Sequence, residues 1–380
     1  MNKKIATLLS VSFFIGAVII ACFFVASAAS RIGQNSAIRP AVQAPAPKKA
    51  EPMTSPATST VYQAFQTKVA NLKAESSTAI TLHMFGDMML DRNVAKKMST
   101  SGLGYVFKNL AGPDKGLYPG PDFIVANLEG AFAPMRIKTT KSIAFRFDPA
   151  LAAQLKKYGF TTVSLANNHN VDMGWANVDF TKKTLSAAGV QYFGDGLREG
   201  AQFTLISESV GPSGERVAFI GLNNTDHALK MDSVRAAIKT ARLQANYVIV
   251  MPHWGVEYKR LSRQPERDLA RQLIDLGATA VIGAHPHVVQ EMELYKGKPI
   301  FYSLGNFIFD QYFSRDTQEG LSLGLVLEFG AVKSVYALPY SLPQSQPRLM
   351  SGPDQEKFYE WLNKNSRLGD TKFISGVLEI

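Results

Sequence analysis

From residue 78 onward, short apolar runs alternate with longer stretches in which apolar residues recur every three or four positions. The runs cover Ile80 to Phe85, Phe123 to Ala126, Thr162 to Ala166, Val217 to Ile220, Tyr247 to Met251, Ala280 to Ile282 and Ile300 to Tyr302. They have strand length. The longer stretches Pro149 to Tyr158, Val234 to Ala245 and Pro265 to Leu276 predict helices, the last with Leu269, Leu273 and Leu276 on a helical period. After Asp310 the pattern predicts two more strands, Leu321 to Phe329 and Val335 to Tyr340. Alternation of this kind predicts an α/β fold with buried sheets.

The chain before this pattern reads differently. After Lys3 and Lys4, Ile5 to Ala29 carries no charge, and about 20 apolar residues suffice to cross a bilayer. Three fates are open: an uncleaved signal anchor, cleavage after Ala26-Ser27-Ala28, or lipidation at Cys22. The anchor is preferred, because the apolar run continues past Cys22 through Phe23, Phe24 and Val25. Lys3 and Lys4 orient the folded body outside the cytoplasm, although Arg31 and Arg39 dilute the asymmetry. From Ser30 to about Thr60 the chain is rich in Ala, Pro, Ser and Thr, a composition that extends rather than packs. Val61 to Ala74 has the character of a short helix. The expected organisation is a signal segment over 1–29, a linker over 30–74, one domain over 75–345 and a C-terminal extension over 346–380.

Charge and cysteine content narrow the chemistry. The net charge of +10 resides mostly in residues 1–74, where eight Lys and Arg face the single acid Glu51, leaving about +3 for the rest. The folded part shows no basic cluster interleaved with aromatics, so nucleic acid is not the expected partner. Cys22 is the only cysteine and lies in the apolar run. Any metal must therefore use His, Asp, Glu or Asn.

Residues of that type gather just after the apolar runs, where open α/β sheets place their sites. The segments are Gly86-Asp87, Asn127 to Gly130, Asn167-Asn168-His169, Pro252 to Gly255, Gly283 to His287 and Ser303 to Phe307. Four of the six histidines (His169, His253, His285 and His287) fall there. Imidazole, carboxylate and amide oxygen together suit Zn, Mn or Fe. If the chain is extended at 285–287, both rings of the His-x-His pair point to one side, which suits chelation; Pro286 equally suits a structural turn there. Arg92 is a candidate fork for a carboxylate or phosphate, and Asp172 a partner for an imidazole. Glu257 and Tyr258 are candidates for the cleft lining, with Trp254 and Tyr258 also readable as packing residues. Arg146 is expected to face solvent.

These segments resemble the motifs of the CapA family of poly-γ-glutamate capsule proteins. The resemblance runs through Gly86 to Leu90, Ala126 to Gly130, Ala166 to His169 with Asp172 and Gly174, His253 to Tyr258, Gly283 to Val288 and Tyr302 to Phe307. That family is similar to calcineurin-like metallophosphoesterases, which implies a layered α/β/β/α sandwich and one or two divalent metal ions. Carried over by residue, the resemblance makes Asp87, Glu129 (or Asn127), Asn168, His253, His285 and His287 metal ligands. It leaves Met89 where a ligand histidine is expected. His169 is then the general-acid candidate, with Asp172 beside it, and Arg92 and Glu257 contact substrate. The implied function is a membrane-anchored protein supporting synthesis or export of an anionic polymer beside membrane-bound synthase subunits, with a metal-dependent hydrolase site. A general envelope phosphoesterase and a non-catalytic polymer-binding subunit remain the alternatives.

Overall fold

The computed structural model describes residues 59–75, 77–110, 117, 120–195, 205–207, 210, 214–225 and 227–380. The expected membrane segment, Cys22 and the tether before Ser59 lie outside those residues. Among the described residues, no helix is long and apolar enough to cross a membrane.

The chain opens with α1 (Thr60–Ala74), β1 (Ile80–Met88), α2 (Arg92–Met98), α3 (Leu103–Val106), β2 (Phe123–Leu128), β3 (Ala131–Phe132) and β4 (Arg146–Phe147). Next come α4 (Leu151–Lys157), β5 (Thr162–Ser164), α5 (Trp175–Ala187), β6 (Gln191–Phe193), β7 (Leu205–Ile206), β8 (Val217–Asn223), α6 (Met231–Gln244) and β9 (Tyr247–His253). Then follow α7 (Gln264–Leu276), β10 (Ala280–Ile282), β11 (Met292–Tyr295), β12 (Lys298–Phe301), β13 (Asn306–Ile308) and β14 (Glu319–Glu328). The chain ends with β15 (Ala331–Ser341), β16 (Arg348–Leu349), α8 (Gly352–Asn365) and β17 (Val377–Glu379).

Two mixed sheets carry the architecture. The larger runs β16-β15-β14-β1-β2-β5-β6, with β13 joined to β1 and β17 to β15; the smaller runs β11-β12-β10-β9-β8-β7. Side-chain alternation along the strands decides the layers. On β1, Ile80, Leu82 and Met84 enter a core shared with Val217 and Phe219 of β8, Ile249 of β9 and Ile282 of β10, so the sheets face each other. Phe85 points the other way, into a core with Phe65 of α1, Val94 of α2 and Leu155 of α4. Ala218, Ile220 and Leu222 of β8 likewise meet Val234 and Ile238 of α6 and Leu273 of α7. The result is helices, sheet, sheet, helices, an α/β architecture as the alternation predicts.

Local chemistry sets the element ends. Helix α7 starts where Glu266 accepts the Arg263 backbone N–H at 2.9 Å and stops at Gly277, whose φ of 119° an L side chain resists. Helix α1, expected as a short helix next to the linker, buries Val61, Tyr62, Phe65, Val69 and Leu72 in the outer core. Beyond residue 346, α8 contributes Phe358, Tyr359 and Leu362 to the inter-sheet core and β17 pairs with β15, so this stretch is woven into the sheet. Helix α5 has no clean apolar stripe, because its inward positions include Thr181 and Lys182 beside Val178 and Leu185.

His83 is wholly buried on β1, stacked 4.4 Å from the Phe85 ring with its Nε2 3.0 Å from Ser322 Oγ. Burial pushes its pKa from 6.5 down to about 3. Between those values the unfolded chain binds more protons than the folded one, so stability falls as pH falls. One such group contributes a slope of about 1.4 kcal/mol per pH unit. Denaturation midpoints followed from about pH 7 to about pH 4 are expected to fall less steeply in His83→Gln than in the wild type.

Candidate metal centre

Three polar side chains stand abreast on adjacent strands where their apolar runs end. Asp87 is in register with Asn127 of β2 on one side and Asn306 of β13 on the other. The pairing of β1 with β2 shifts register between Met84 and Asp87, a local irregularity of the kind that re-aims a side chain. Gly86 allows it: a Cβ there would lie 1.9 Å from the Gly305 carbonyl oxygen. Asn127 Nδ2 donates to Asp87 Oδ1 at 2.8 Å and lies 3.3 Å from His253 Nδ1. Asn167 donates to Asn127 Oδ1 at 3.1 Å and to the Leu128 carbonyl at 2.9 Å, and accepts the His169 backbone N–H at 3.1 Å. Buried amides thus fix the loops after β2 and β5 to each other.

The smaller sheet supplies the facing side. His253 ends β9, and its Nε2 lies 3.0 Å from Asn168 Oδ1. After β10 the His285 backbone N–H donates to Asp87 Oδ2 at 3.2 Å. His287 Nδ1 is 3.2 Å from Asp87 Oδ2 and 3.1 Å from Asn306 Oδ1. The extended His-x-His expectation is not met. His285 and His287 adopt φ of 99° and 58°, and their ring centroids are 5.9 Å apart. Arg92, at the start of α2, and Tyr258, in the loop after β9, also have positive φ. Non-glycine residues hold such conformations only where surrounding contacts over-determine them. Here those contacts include the Asp87 bond to His285 and the Tyr258 N–H donating to the Pro286 carbonyl at 2.8 Å.

The centre carries an uncompensated acid. Glu129 is fully buried, and neither carboxylate oxygen has a hydrogen-bond partner. Its Oε1 is 3.7 Å from His287 Nε2 and 3.8 Å from His169 Nε2, both beyond hydrogen-bond reach. Burial pushes the Glu129 pKa well above the usual carboxylate range; His287 opposes this, and Asp87 adds to it. Burial also works against a charged His287, but Glu129 and Asp87 outweigh it and raise its pKa to about 9. Burial and the neighbouring His287 hold His285 down at about 4, and burial with the other imidazoles holds His253 well below its ordinary value. Neutral imidazoles are the ligand form.

Donor atoms of Asp87, Glu129 and His287 lie within 4.8 Å of one another, as do those of Glu257, His285 and His287. Two candidate metal-binding groups therefore share His287. A buried carboxylate without a partner is costly, and a bound cation would relieve it, so this donor set fits a divalent metal.

His169 Nδ1 is 2.6 Å from Asp172 Oδ2, and Asp172 also accepts from the Phe145 N–H and from Lys141 Nζ, each at 2.8 Å. Arg92 is ion-paired with Asp310, and its guanidinium lies 4.9 Å from the Phe145 ring, which in turn lies 4.2 Å from the His169 ring. It sits beside the cluster. Glu257 is half-buried; Trp254 is buried, with Nε1 donating to the Tyr302 carbonyl at 2.8 Å, whereas Tyr258 is 43% exposed. Arg146 is half-buried and braces the Ala133 and Pro134 carbonyls. Met89 is buried in the outer core and supplies no metal-type donor. The structure adds Asn167, Asn306, Lys141 and Asp310. Asn167 ends an apolar run and Asn306 opens β13 in the segment that follows another, both signals open to sequence reading; Lys141 and Asp310 give none.

Residues 81–311 match the family described as Bacterial capsule synthesis protein PGA_cap. The chain belongs to this family. It is similar to the capsule biosynthesis protein CapA of Bacillus anthracis, 28% identical over 328 residues, 79% of this chain and 77% of that one. The PGA biosynthesis protein CapA of Bacillus subtilis (strain 168) is 28% identical over 270 residues, 66% of this chain and 68% of that one. A probable polyglutamine synthesis accessory protein of Mycobacterium tuberculosis is 26% identical over 212 residues, 50% of this chain and 56% of that one.

Titrating the metal-stripped protein with Mn2+ or Zn2+ is expected to raise its thermal midpoint, by an amount equivalent to about 2.7 kcal/mol at a hundredfold excess over Kd. Glu129→Gln is expected to lose most of that gain. Equal gains in both proteins would show that Glu129 does not hold the ion.

Proposed function

We propose that this chain is a metal-dependent hydrolase of the cell envelope that processes an anionic exopolymer, poly-γ-glutamate or a relative of it, during capsule synthesis or export. The observation that carries the reading is Glu129, a buried carboxylate facing two imidazoles without a hydrogen bond to either. A cation bound there supplies a Lewis acid and lowers the pKa of water towards neutrality; Mn, Zn or Fe suits these donors. Asp87, Glu129, Asn168, His253, His285 and His287 would hold one or two such ions. Glu257, in a group with His285 and His287, would add a further carboxylate.

His169 acts as proton donor to the leaving group. Asp172 orients it through Nδ1, which leaves Nε2 directed to the Glu129 side of the cleft. Arg92 steadies an anionic group beside this edge, its guanidinium fixed by Asp310. The roles of the Bacillus relatives, capsule biosynthesis and PGA biosynthesis, support an anionic polymer as the target. The apolar segment Ile5 to Ala29 supports a membrane-anchored protein with its folded body outside the cytoplasm, beside membrane-bound synthase subunits. The buried Met89 favours one second reading, a site that binds the polymer without cleaving it.

The test is turnover of γ-glutamyl oligomers and of simple phosphodiesters by the metal-loaded protein. Cleavage of γ-glutamyl oligomers, abolished in Asp87→Asn and His285→Ala, is expected; cleavage of phosphodiesters alone would favour a general phosphoesterase, and metal binding without turnover the binding role. His169→Ala is expected to lower kcat by about 10²–10⁴ for a substrate with a poor leaving group. The loss should shrink for a nitrophenyl leaving group that needs no proton, and an equal loss on both substrates would remove His169 from the acid role.

A further inference from the structure

Between β3 and β4 the chain runs beside the cleft without regular secondary structure. Exposed loops are ordinarily polar, yet Met135, Ile137 and Ile143 here are 70, 40 and 51% exposed. Ile137 reaches the start of α5: its Cδ1 lies 3.6 Å from where a Cβ on Gly174 would be, next to the 39% exposed Trp175. The base of the loop is braced. Ala131, Ala133 and Met173 form a small buried cluster, Arg146 bonds the Ala133 and Pro134 carbonyls, and Arg136 pairs with Asp91 and donates to the Ala144 carbonyl at 3.0 Å. An apolar tip on a fixed base stays presented instead of folding back. The charge of the loop is one-sided, since Arg136, Lys138, Lys141 and Arg146 lie between Gly130 and Phe147 with no Asp or Glu among them.

We propose that this loop and Trp175 dock on the surface of an anionic lipid bilayer, with the apolar side chains in the interfacial layer and Lys138 at the phosphates. Short apolar side chains, an exposed indole and flanking cations are the combination that interface favours. Two observations select the bilayer over other occupants. A polyanion would engage the cations and leave Met135, Ile137 and Ile143 in water. The chain before Ser59 carries the uncharged segment Ile5 to Ala29, and about 20 apolar residues suffice to cross a bilayer. This second point rests on reading that segment as the membrane anchor. Lys141 joins the loop to the chemistry, because its Nζ donates to the Asn168 carbonyl and to Asp172 Oδ1. Docking therefore turns the His169 edge of the cleft to the headgroups, where a membrane-borne substrate arrives.

The test uses the full-length chain with nanodiscs of phosphatidylcholine and phosphatidylglycerol, with plain or brominated acyl chains. Of the other two tryptophans Trp254 is buried and Trp361 half-buried, and a Trp175→Phe variant defines the share of the emission that belongs to Trp175. Brominated discs are expected to remove the Trp175 emission. That loss should vanish in a Met135→Ser/Ile137→Ser/Ile143→Ser variant and weaken in Lys138→Glu, with denaturation midpoints near wild type. Co-flotation with the discs reports anchoring separately. A chain that floats without losing Trp175 emission overturns docking and leaves the anchor standing; one that neither floats nor is quenched overturns both, and quenching without stable flotation supports docking alone. Absent quenching, with the triple variant changing either the oligomeric state or the binding of soluble poly-γ-glutamate, assigns the surface to a second copy or to the polymer and overturns the proposal.

Discussion

Two acidic side chains, Asp87 and Glu129, are buried together where strands of the larger sheet end, and the arrangement around them answers the electrostatic problem they create. Asp87 has its oxygens occupied by the Asn127 amide, the His285 N–H and the His287 ring. Glu129 has no such partners. A carboxylate removed from water without hydrogen bonds is unfavourable, and low polarity magnifies the repulsion between two of them. His287 offsets part of this by holding its proton. The positive φ of His285 and His287 belongs to the same economy, since a strained backbone is the means by which that ring and that N–H reach Asp87.

The legible part of this architecture is the part governed by period and composition. Strand-length apolar runs ending in polar residues place Asp87, Asn127, His253 and His285 at carboxyl ends without reference to any fold. The His-x-His geometry was not legible, because a chain of three residues does not disclose that two of them take left-handed conformations. Helix α5 escaped because buried Thr181 and Lys182 break its stripe. Lys141 and Asp310 escaped for a different reason: each acts on a partner distant in sequence, Asp172 and Arg92, and a side chain on a loop carries no periodic signal. Asn167 and Asn306 stood in recognisable segments, but their role as amide struts depends on which strands are neighbours.

Packing and chemistry divide along β1. Its first residues, Ile80, Leu82 and Met84, serve the core between the sheets, and the next few turn towards the cleft through a register shift that Gly86 permits. Met89 then returns the chain to the outer apolar core. A few residues thus separate a hydrophobic interior from a polar, charged one, and a small displacement at Gly305 would be felt in both.

The polar residues of the centre come from both sheets, and Asp87 and the His285 N–H that it accepts are 198 positions apart along the chain. An ion held jointly by Asp87 of one sheet and imidazoles of the other would rivet the seam between the two halves of the sandwich. Such a rivet favours the folded chain over the unfolded one, in which its ligands are scattered. Metal supply would then govern the lifetime of the folded protein as well as its chemistry.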